Sequence, residues 1–97
     1  MLKEDVYNFL KIIPKGKVVT YSQIGKALNS KAYRAIGNIL HNNPDPIGTP
    51  CYKVVNIKGQ LAKNFGDGIE NQRKRLINDG IEVINDTVDL NKYQWKN

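Results

Sequence analysis

Thr20-Tyr21-Ser22-Gln23-Ile24-Gly25-Lys26-Ala27-Leu28-Asn29-Ser30 runs directly into Lys31-Ala32-Tyr33-Arg34-Ala35-Ile36-Gly37-Asn38-Ile39-Leu40-His41-Asn42. Thr20 and Gln23 have the spacing of a capping box, in which each side chain satisfies an orphan backbone N–H at the start of a helix. That helix is expected through about Leu28. Asn29-Ser30 makes the turn, and Ser30 is a side-chain cap for a following helix that runs to about Asn42. Ala32, Ala35, Ile36, Ile39 and Leu40 form its apolar stripe, which leaves Tyr33, Arg34, Gly37, Asn38 and His41 off the core. Two short helices joined by a tight turn predict a helix-turn-helix.

Upstream, Leu2, Val6, Phe9, Leu10 and Ile13 recur at helical spacing until Pro14-Lys15-Gly16 stops them. Lys17-Val18-Val19 is short, extended and β-branched. Downstream, prolines and glycine between Asn43 and Pro50 forbid regular structure, so that stretch is a surface loop presenting Cys51. Lys53-Val54-Val55-Asn56-Ile57 is strand-like, Lys58-Gly59 is a turn, and Gln60-Leu61-Ala62 is expected to pair back as a small hairpin. After the loop Asn64 to Gly68, a last helix extends from Ile69 to about Asn78, with Gly80 as its stop. Ile81 to Ile84 and Val88 to Leu90 are candidates for a terminal hairpin or wing, against which Tyr93 and Trp95 pack the tail.

The fold class is therefore α/β: one small domain over residues 1–97, a winged helix-turn-helix with short β hairpins. At 97 residues the chain has room for one modest core and no second functional domain. Fifteen Lys and Arg against nine Asp and Glu give a formal charge of +6, which favours a polyanionic partner. A basic protein without such a partner has the same composition. One cysteine makes no intramolecular disulfide, and one Cys with one His makes no four-residue zinc set, so neither metal nor cofactor is expected. No apolar stretch approaches the roughly 20 residues that span a bilayer, and Met1-Leu2-Lys3-Glu4-Asp5 turns acidic where a signal peptide turns apolar. A soluble, unprocessed, cytoplasmic monomer is expected.

Several side chains carry more than one chemistry. Arg34, Gly37 and Asn38 on one exposed helix face suit close approach to nucleic acid, because glycine in mid-helix costs about 1 kcal/mol relative to alanine. Gly37 could equally admit a neighbouring helix. Cys51 reads as a small buried hydrophobe, an inert thiol or a nucleophile. A thiolate is favoured beside a cation, and Lys53 is near in sequence, but alternate strand residues need not share a face. His41 reads as a solvated or DNA-facing side chain, and Arg73-Lys74-Arg75 as a solvated helix face that complements the macrodipole.

Ile13-Pro14-x-Gly16-x-Val18-x-Thr20-Tyr21, Arg34-Ala35-Ile36-Gly37, Asn43-Pro44-x-Pro46-Ile47, Pro50-Cys51 and Asp79-Gly80 together resemble the C-terminal domain of the O6-alkylguanine-DNA alkyltransferases, over Val6 to Val83. The tail Val88 to Trp95 is more similar to the single-domain alkyltransferase-like proteins. The resemblance implies that the helix-turn-helix enters the minor groove of double-stranded DNA containing O6-alkylguanine. Tyr21 would help rotate the damaged nucleotide out, Arg34 would fill the gap it leaves, and Gly37 and Asn38 would lie on the DNA face. Leu40, Asn43, Val54 and Phe65 would shape the pocket, with the backbone carbonyls of Cys51 and Val54 bonding the flipped guanine.

Departures from the family pattern bear on the chemistry. The family deprotonates its cysteine through a glutamate, a histidine and a water, and those positions hold Asp79 and Tyr52 in this chain. A phenol with a pKa near 10 is a poor general base at pH 7. The alkyltransferase-like proteins typically carry tryptophan where this chain keeps Cys51. Two behaviours stay open: stoichiometric alkyl transfer to Cys51 assisted by Tyr52 and Asp79, as in a methylated-DNA-protein cysteine methyltransferase, or binding alone, as a sensor that directs nucleotide excision repair proteins to the lesion. A transcription regulator would use the same helix-turn-helix but gives no reason for Pro50-Cys51.

Overall fold

Helix α1 (Leu2–Lys11) buries Val6, Phe9 and Leu10 on one face and ends where Ile12 and Ile13 turn back their N–H groups onto Phe9 and Leu10. The structure, a computed structural model, describes residues 1–45, 48–62 and 68–96. Strand β1 (Val19–Thr20) leads straight into α2 (Tyr21–Ala27). The expected capping box is formed: Gln23 N–H donates to Thr20 Oγ1 at 3.1 Å, and Thr20 N–H to Gln23 Oε1 at 2.9 Å.

The turn between α2 and the helix that follows it is a Schellman motif. Asn29 takes a left-handed conformation (φ 52°), while Ser30 N–H reaches the Gly25 carbonyl at 2.8 Å and Asn29 N–H that of Lys26 at 3.2 Å. Gly25 is required there, since a Cβ would stand 2.5 Å from the Tyr33 ring and 2.7 Å from the Ser30 carbonyl oxygen. Helix α3 spans Tyr33–His41. Its cap position is Ala32, not Ser30: the Ser30 hydroxyl accepts the Ala32 N–H at 3.2 Å and so closes the connecting turn instead. The stripe is also narrower than expected. Ile36 and Leu40 are buried and Ile39 half-buried, while Ala32 and Ala35 are exposed because the helix contacts α1 and α2 along one edge only.

Residues 51–53 form a 3-10 turn rather than strand, and β2 is limited to Val54–Val55. It pairs with β1 in parallel, Val19 opposite Val54 and Thr20 opposite Val55. Alternation along these strands divides the core. Val19 and Val54 join α1, α2 and α3, whereas Val18 and Val55 join Leu61, Leu76, Ile81 and Val88 under α4 (Ile69–Asn78).

Helix α4 also stops in a Schellman motif, with Gly80 at φ 86° and Ile81 N–H on the Leu76 carbonyl. The antiparallel hairpin β3 (Val83–Ile84) and β4 (Thr87–Val88) follows, joined by Asn85 and Asp86 at φ 51° and 56°, as a type I′ turn demands. This is the expected wing. Gln60-Leu61-Ala62 does not pair back on β2; Gln60 bridges to Thr87 and Leu61 N–H donates to the Asp86 carbonyl at 2.9 Å, because the wing offers an open strand edge. The short helix α5 (Leu90–Tyr93) ends the fold. Trp95 then docks by its N–H on the Val18 carbonyl and by its ring against Phe9, the centroids 5.8 Å apart. Among the described residues no helix is long and apolar enough to cross a membrane.

Candidate nucleic-acid interface and cysteine site

The loop after α3 is organised by Asn43. Its Nδ2 donates to the Thr49 carbonyl at 2.7 Å, and its Oδ1 accepts the Asp45 N–H at 3.0 Å. Cys51 N–H then donates to the same Thr49 carbonyl at 2.8 Å, so Asn43 and Cys51 are held by one oxygen. Cys51 is 6% exposed and packs with Leu40, Val54 and Ile36. Of the expected pocket residues, Leu40, Asn43 and Val54 thus gather around the cysteine turn, and Phe65 lies outside the described residues, as do Pro46 and Ile47 of the loop.

Tyr52 and Asp79 meet as the family pattern implies. The phenol donates to Asp79 Oδ2 at 2.7 Å. Burial, the hydrogen bond to Asp79 and the charge of that carboxylate all push the phenol well above its ordinary pKa, against a smaller opposing effect of Arg75. Tyr52 is therefore neutral across the physiological range and commits its proton to the carboxylate. Arg75 is half-buried near Tyr52, and Arg73 forms an ion pair with Asp86 at 2.6 Å. The basic run is thus not the uniformly solvated face expected of it, since α4 packs its sides against the cysteine turn and the wing.

Lys53 is engaged by backbone carbonyls. Its ammonium donates to the Ile13 and Pro14 carbonyls at 2.8 and 3.4 Å, tying the 3-10 turn to the end of α1. Burial lowers its pKa, partly opposed by the charge of Asp79.

Two other phenols lie within electrostatic reach of Cys51. Tyr21 is raised first by burial and second by the charge the cysteine would carry as thiolate, and Tyr7 is raised by the same two causes in the same order. Tyr7 donates its hydroxyl to the Ile39 carbonyl at 2.9 Å. Tyr21 also opens onto a groove of about 640 Å³, walled by Tyr33, Gly37, Asn38 and His41 of α3 and by Asn56 and Ile57. Tyr21, Gly37 and Asn38 thus share one surface, and Arg34 is exposed on the same helix. A Cβ on Gly37 would meet nothing within 4 Å, which removes helix packing among the described residues as the reason for this glycine.

Gln72 was not anticipated. It is 0% exposed, its Nε2 donates to the Tyr52 and Val54 carbonyls at 3.1 Å each, and its Oε1 accepts the Ala62 N–H at 2.9 Å. A polar residue on the stripe Ile69, Gln72, Leu76 was the available signal. The Val54 carbonyl, expected to face the flipped guanine, is already shared with this amide. Among the described residues no three His, Cys, Asp or Glu side chains cluster closely enough to hold a metal ion.

A helix-turn-helix with an open glycine-bearing face, followed by a cysteine turn backed by a tyrosine-carboxylate pair, defines a DNA-binding domain of the alkyltransferase class. Residues 1–81 match the 6-O-methylguanine DNA methyltransferase DNA-binding domain, and the chain belongs to this alkyltransferase and alkyltransferase-like family. It is 42% identical over 93 residues to a bifunctional methyltransferase/endonuclease of Picrophilus torridus, covering 95% of this chain but only 31% of that protein. It is 33% identical over 94 residues to a DNA base-flipping protein of Vibrio parahaemolyticus, covering 95% of this chain and 93% of the other. The crystal structure of S. pombe Atl1 in complex with damaged DNA containing O6-carboxymethylguanine superposes with a TM-score of 0.89 at 26% identity, over 99% of this chain and 95% of that one. The O6-methylguanine-DNA methyltransferase of Pyrococcus kodakaraensis matches at 0.74 and 36% identity, over 81% of this chain and 46% of its own.

Proposed function

We propose that this protein binds double-stranded DNA containing O6-alkylguanine through the exposed face of α3 and rotates the damaged nucleotide out of the stack toward Cys51. The observation that carries the reading is the open face of α3, where Gly37 leaves the backbone bare beside Arg34, Asn38 and Tyr21. Flipping is needed because an alkyl group on O6 inside a stacked duplex is out of reach of a buried sulfur. Tyr21 bridges the groove and the surroundings of Cys51, which suits it to guide the rotating nucleotide, and Arg34 fills the vacated space. Likeness to a base-flipping protein and to a structure bound to damaged DNA supports the same reading.

The retained thiol favours a second activity at the same site. The Cys51 sulfur attacks the alkyl carbon, the C–O6 bond breaks, its electron pair returns to the guanine, and the thiol proton ends on the base; the protein is consumed once. Tyr52, neutral and already donating to Asp79, does not take that proton, so transfer is slow near pH 7. Binding is then the dominant activity, and a monomer that holds the lesion for nucleotide excision repair proteins in the cytoplasm is the role it fits.

Fluorescence anisotropy with matched duplexes, one holding O6-methylguanine, tests the first reading. The lesion duplex should bind more tightly, and both affinities should fall as salt rises, because each neutralised phosphate releases counterions. Equal affinities, or no salt dependence, refute it. Intact mass after incubation tests the second: one methyl group added to the wild type and none to Cys51→Ser, faster as rising pH increases the thiolate fraction. An unchanged mass at alkaline pH leaves a binding protein only.

A further inference from the structure

Ile57 stands 75% exposed on the turn that follows β2, and the surrounding turn is tightly built. Asn56 Oδ1 accepts the N–H groups of Lys58 and Gln60 at 2.9 and 2.8 Å, and its Nδ2 donates to Gln60 Oε1 at 2.8 Å. The backbone closes the turn again through Gly59 N–H on the Asn56 carbonyl at 2.8 Å and Asn56 N–H on that of Gln60 at 3.1 Å. From below, Val88 N–H donates to the Gly59 carbonyl at 2.8 Å, and a Cβ on Gly59, at φ 82°, would collide with the Val88 carbonyl. The wing thus buttresses the turn. A bulky apolar side chain held out to water by so many hydrogen bonds gains nothing from the protein's own core, since leaving it exposed forgoes burial worth about 1.5 to 3 kcal/mol.

Ile57 also forms the wall of the 640 Å³ groove that faces Gly37 and Tyr33 of α3. We infer that the turn 56–60 is a second DNA-contacting element, whose Ile57 packs against the deoxyribose and base edges of the minor groove from the side opposite α3. Resting on the DNA-binding reading above, this assigns the groove two unlike walls. The α3 wall carries the polar side chains of Tyr33, Asn38 and His41; the turn wall is apolar at Ile57, with Lys58 exposed beside it to meet a phosphate. Apolar wedges of this kind are the usual means by which minor-groove proteins hold a widened or kinked duplex. The chain's formal charge of +6, the exposed Lys58 next to Ile57 and the exposed Arg34 on α3 favour the nucleic acid over an apolar protein partner.

An apolar contact and a phosphate contact differ in their response to salt. Neutralising one phosphate contributes about 0.9 to the slope of log affinity against log salt, and an apolar contact contributes nothing. Titration of a duplex containing O6-methylguanine with Ile57→Ser should therefore show affinity reduced about tenfold with an unchanged slope, and Ile57→Leu should restore it. Lys58→Ala should instead lower the slope by about one. Circular dichroism should match wild type in all three variants, since both side chains project into solvent. If Ile57→Ser binds as tightly as wild type, the turn is not a DNA element and Ile57 serves something else. Loss of affinity with a reduced slope would also overturn the apolar contact. Should wild type itself fail to bind DNA, it is the proposed function that falls, a result distinct from either.

Discussion

The Tyr52 phenol donates a 2.7 Å hydrogen bond to Oδ2 of Asp79, 27 residues further along the chain. Asp79 is placed for this by the end of α4, where it is the C-cap residue ahead of the left-handed Gly80. The pair has the connectivity of a base held by a carboxylate, yet the phenol is pushed far above neutrality and serves as donor. Tyr52→His substitutes a ring that titrates near pH 7. Alkyl transfer to Cys51 should then accelerate by about a hundredfold at neutral pH, the modest end of general-base effects, with binding little changed. Rates from time-resolved intact mass decide this, and an unaltered rate would show that deprotonation is not limiting.

The same hydrogen bond has a signature in alkali. The folded-state pKa of Tyr52 is raised above the unfolded value of about 10, so the unfolded chain loses its proton first as pH increases. The stabilisation is complete below pH 10 and declines above it. Urea midpoints measured at about pH 9 and pH 11 should drop further in wild type than in Tyr52→Phe, which lacks the titrating group. Equal drops would mean that other tyrosines carry the alkaline transition.

Arg34→Ala should weaken binding to DNA containing O6-methylguanine by about tenfold to a hundredfold, or roughly 1 to 3 kcal/mol, if it removes the group proposed to offset unstacking. A lone phosphate contact would lose less and would show mainly in the salt slope. With 2-aminopurine at the target position, wild type should raise the fluorescence and the variant should not, even at saturation. Equal signals would return Arg34 to an ordinary solvated face.

Gly37→Ala should separate stability from function. The added methyl meets open space, so helix propensity should stabilise the fold by roughly 1 kcal/mol. DNA should bind less tightly, since the methyl stands where the duplex approaches the helix backbone. A variant more stable and equally avid would show that nothing docks on this face.

Gln72→Leu should be among the most damaging single changes outside the apolar core. It deprives the Tyr52 and Val54 carbonyls and the Ala62 N–H of a common partner, and a buried unsatisfied group costs about 1 to 3 kcal/mol. A loss of about 2 to 4 kcal/mol in chemical denaturation is expected. A loss under about 0.5 kcal/mol, the range of an ordinary surface substitution, would show that water replaces the amide there.

Much of this molecule was legible in the chain because it rests on interactions a few residues long. The Thr20 and Gln23 box, the helix stopped at Gly80 and the wing around Asn85-Asp86 all form as their local chemistry prescribes, while α1 ends at Lys11, two residues short of the expected Ile13. The family resemblance likewise implied that Tyr52 and Asp79 lie together and that Asn43 stands by the cysteine turn, and both contacts are present. Ser30 misled because a serine before a helix can close a turn as well as cap one, and the choice lies in how Tyr33 packs over Gly25.

What the sequence determined by itself was the capped start of α2, the helix-turn-helix and the stop of α4, since capping and periodicity are settled between near neighbours. Only the tertiary structure decided that Lys53 binds the carbonyls at the end of α1, that Gln72 links the cysteine turn to Ala62, and that Ile57 shares a groove with Gly37. A buried amine or amide must find a partner wherever packing leaves one. Its choice therefore depends on the parallel pairing of β1 with β2 and the docking of α4, contacts between distant segments that no local pattern records.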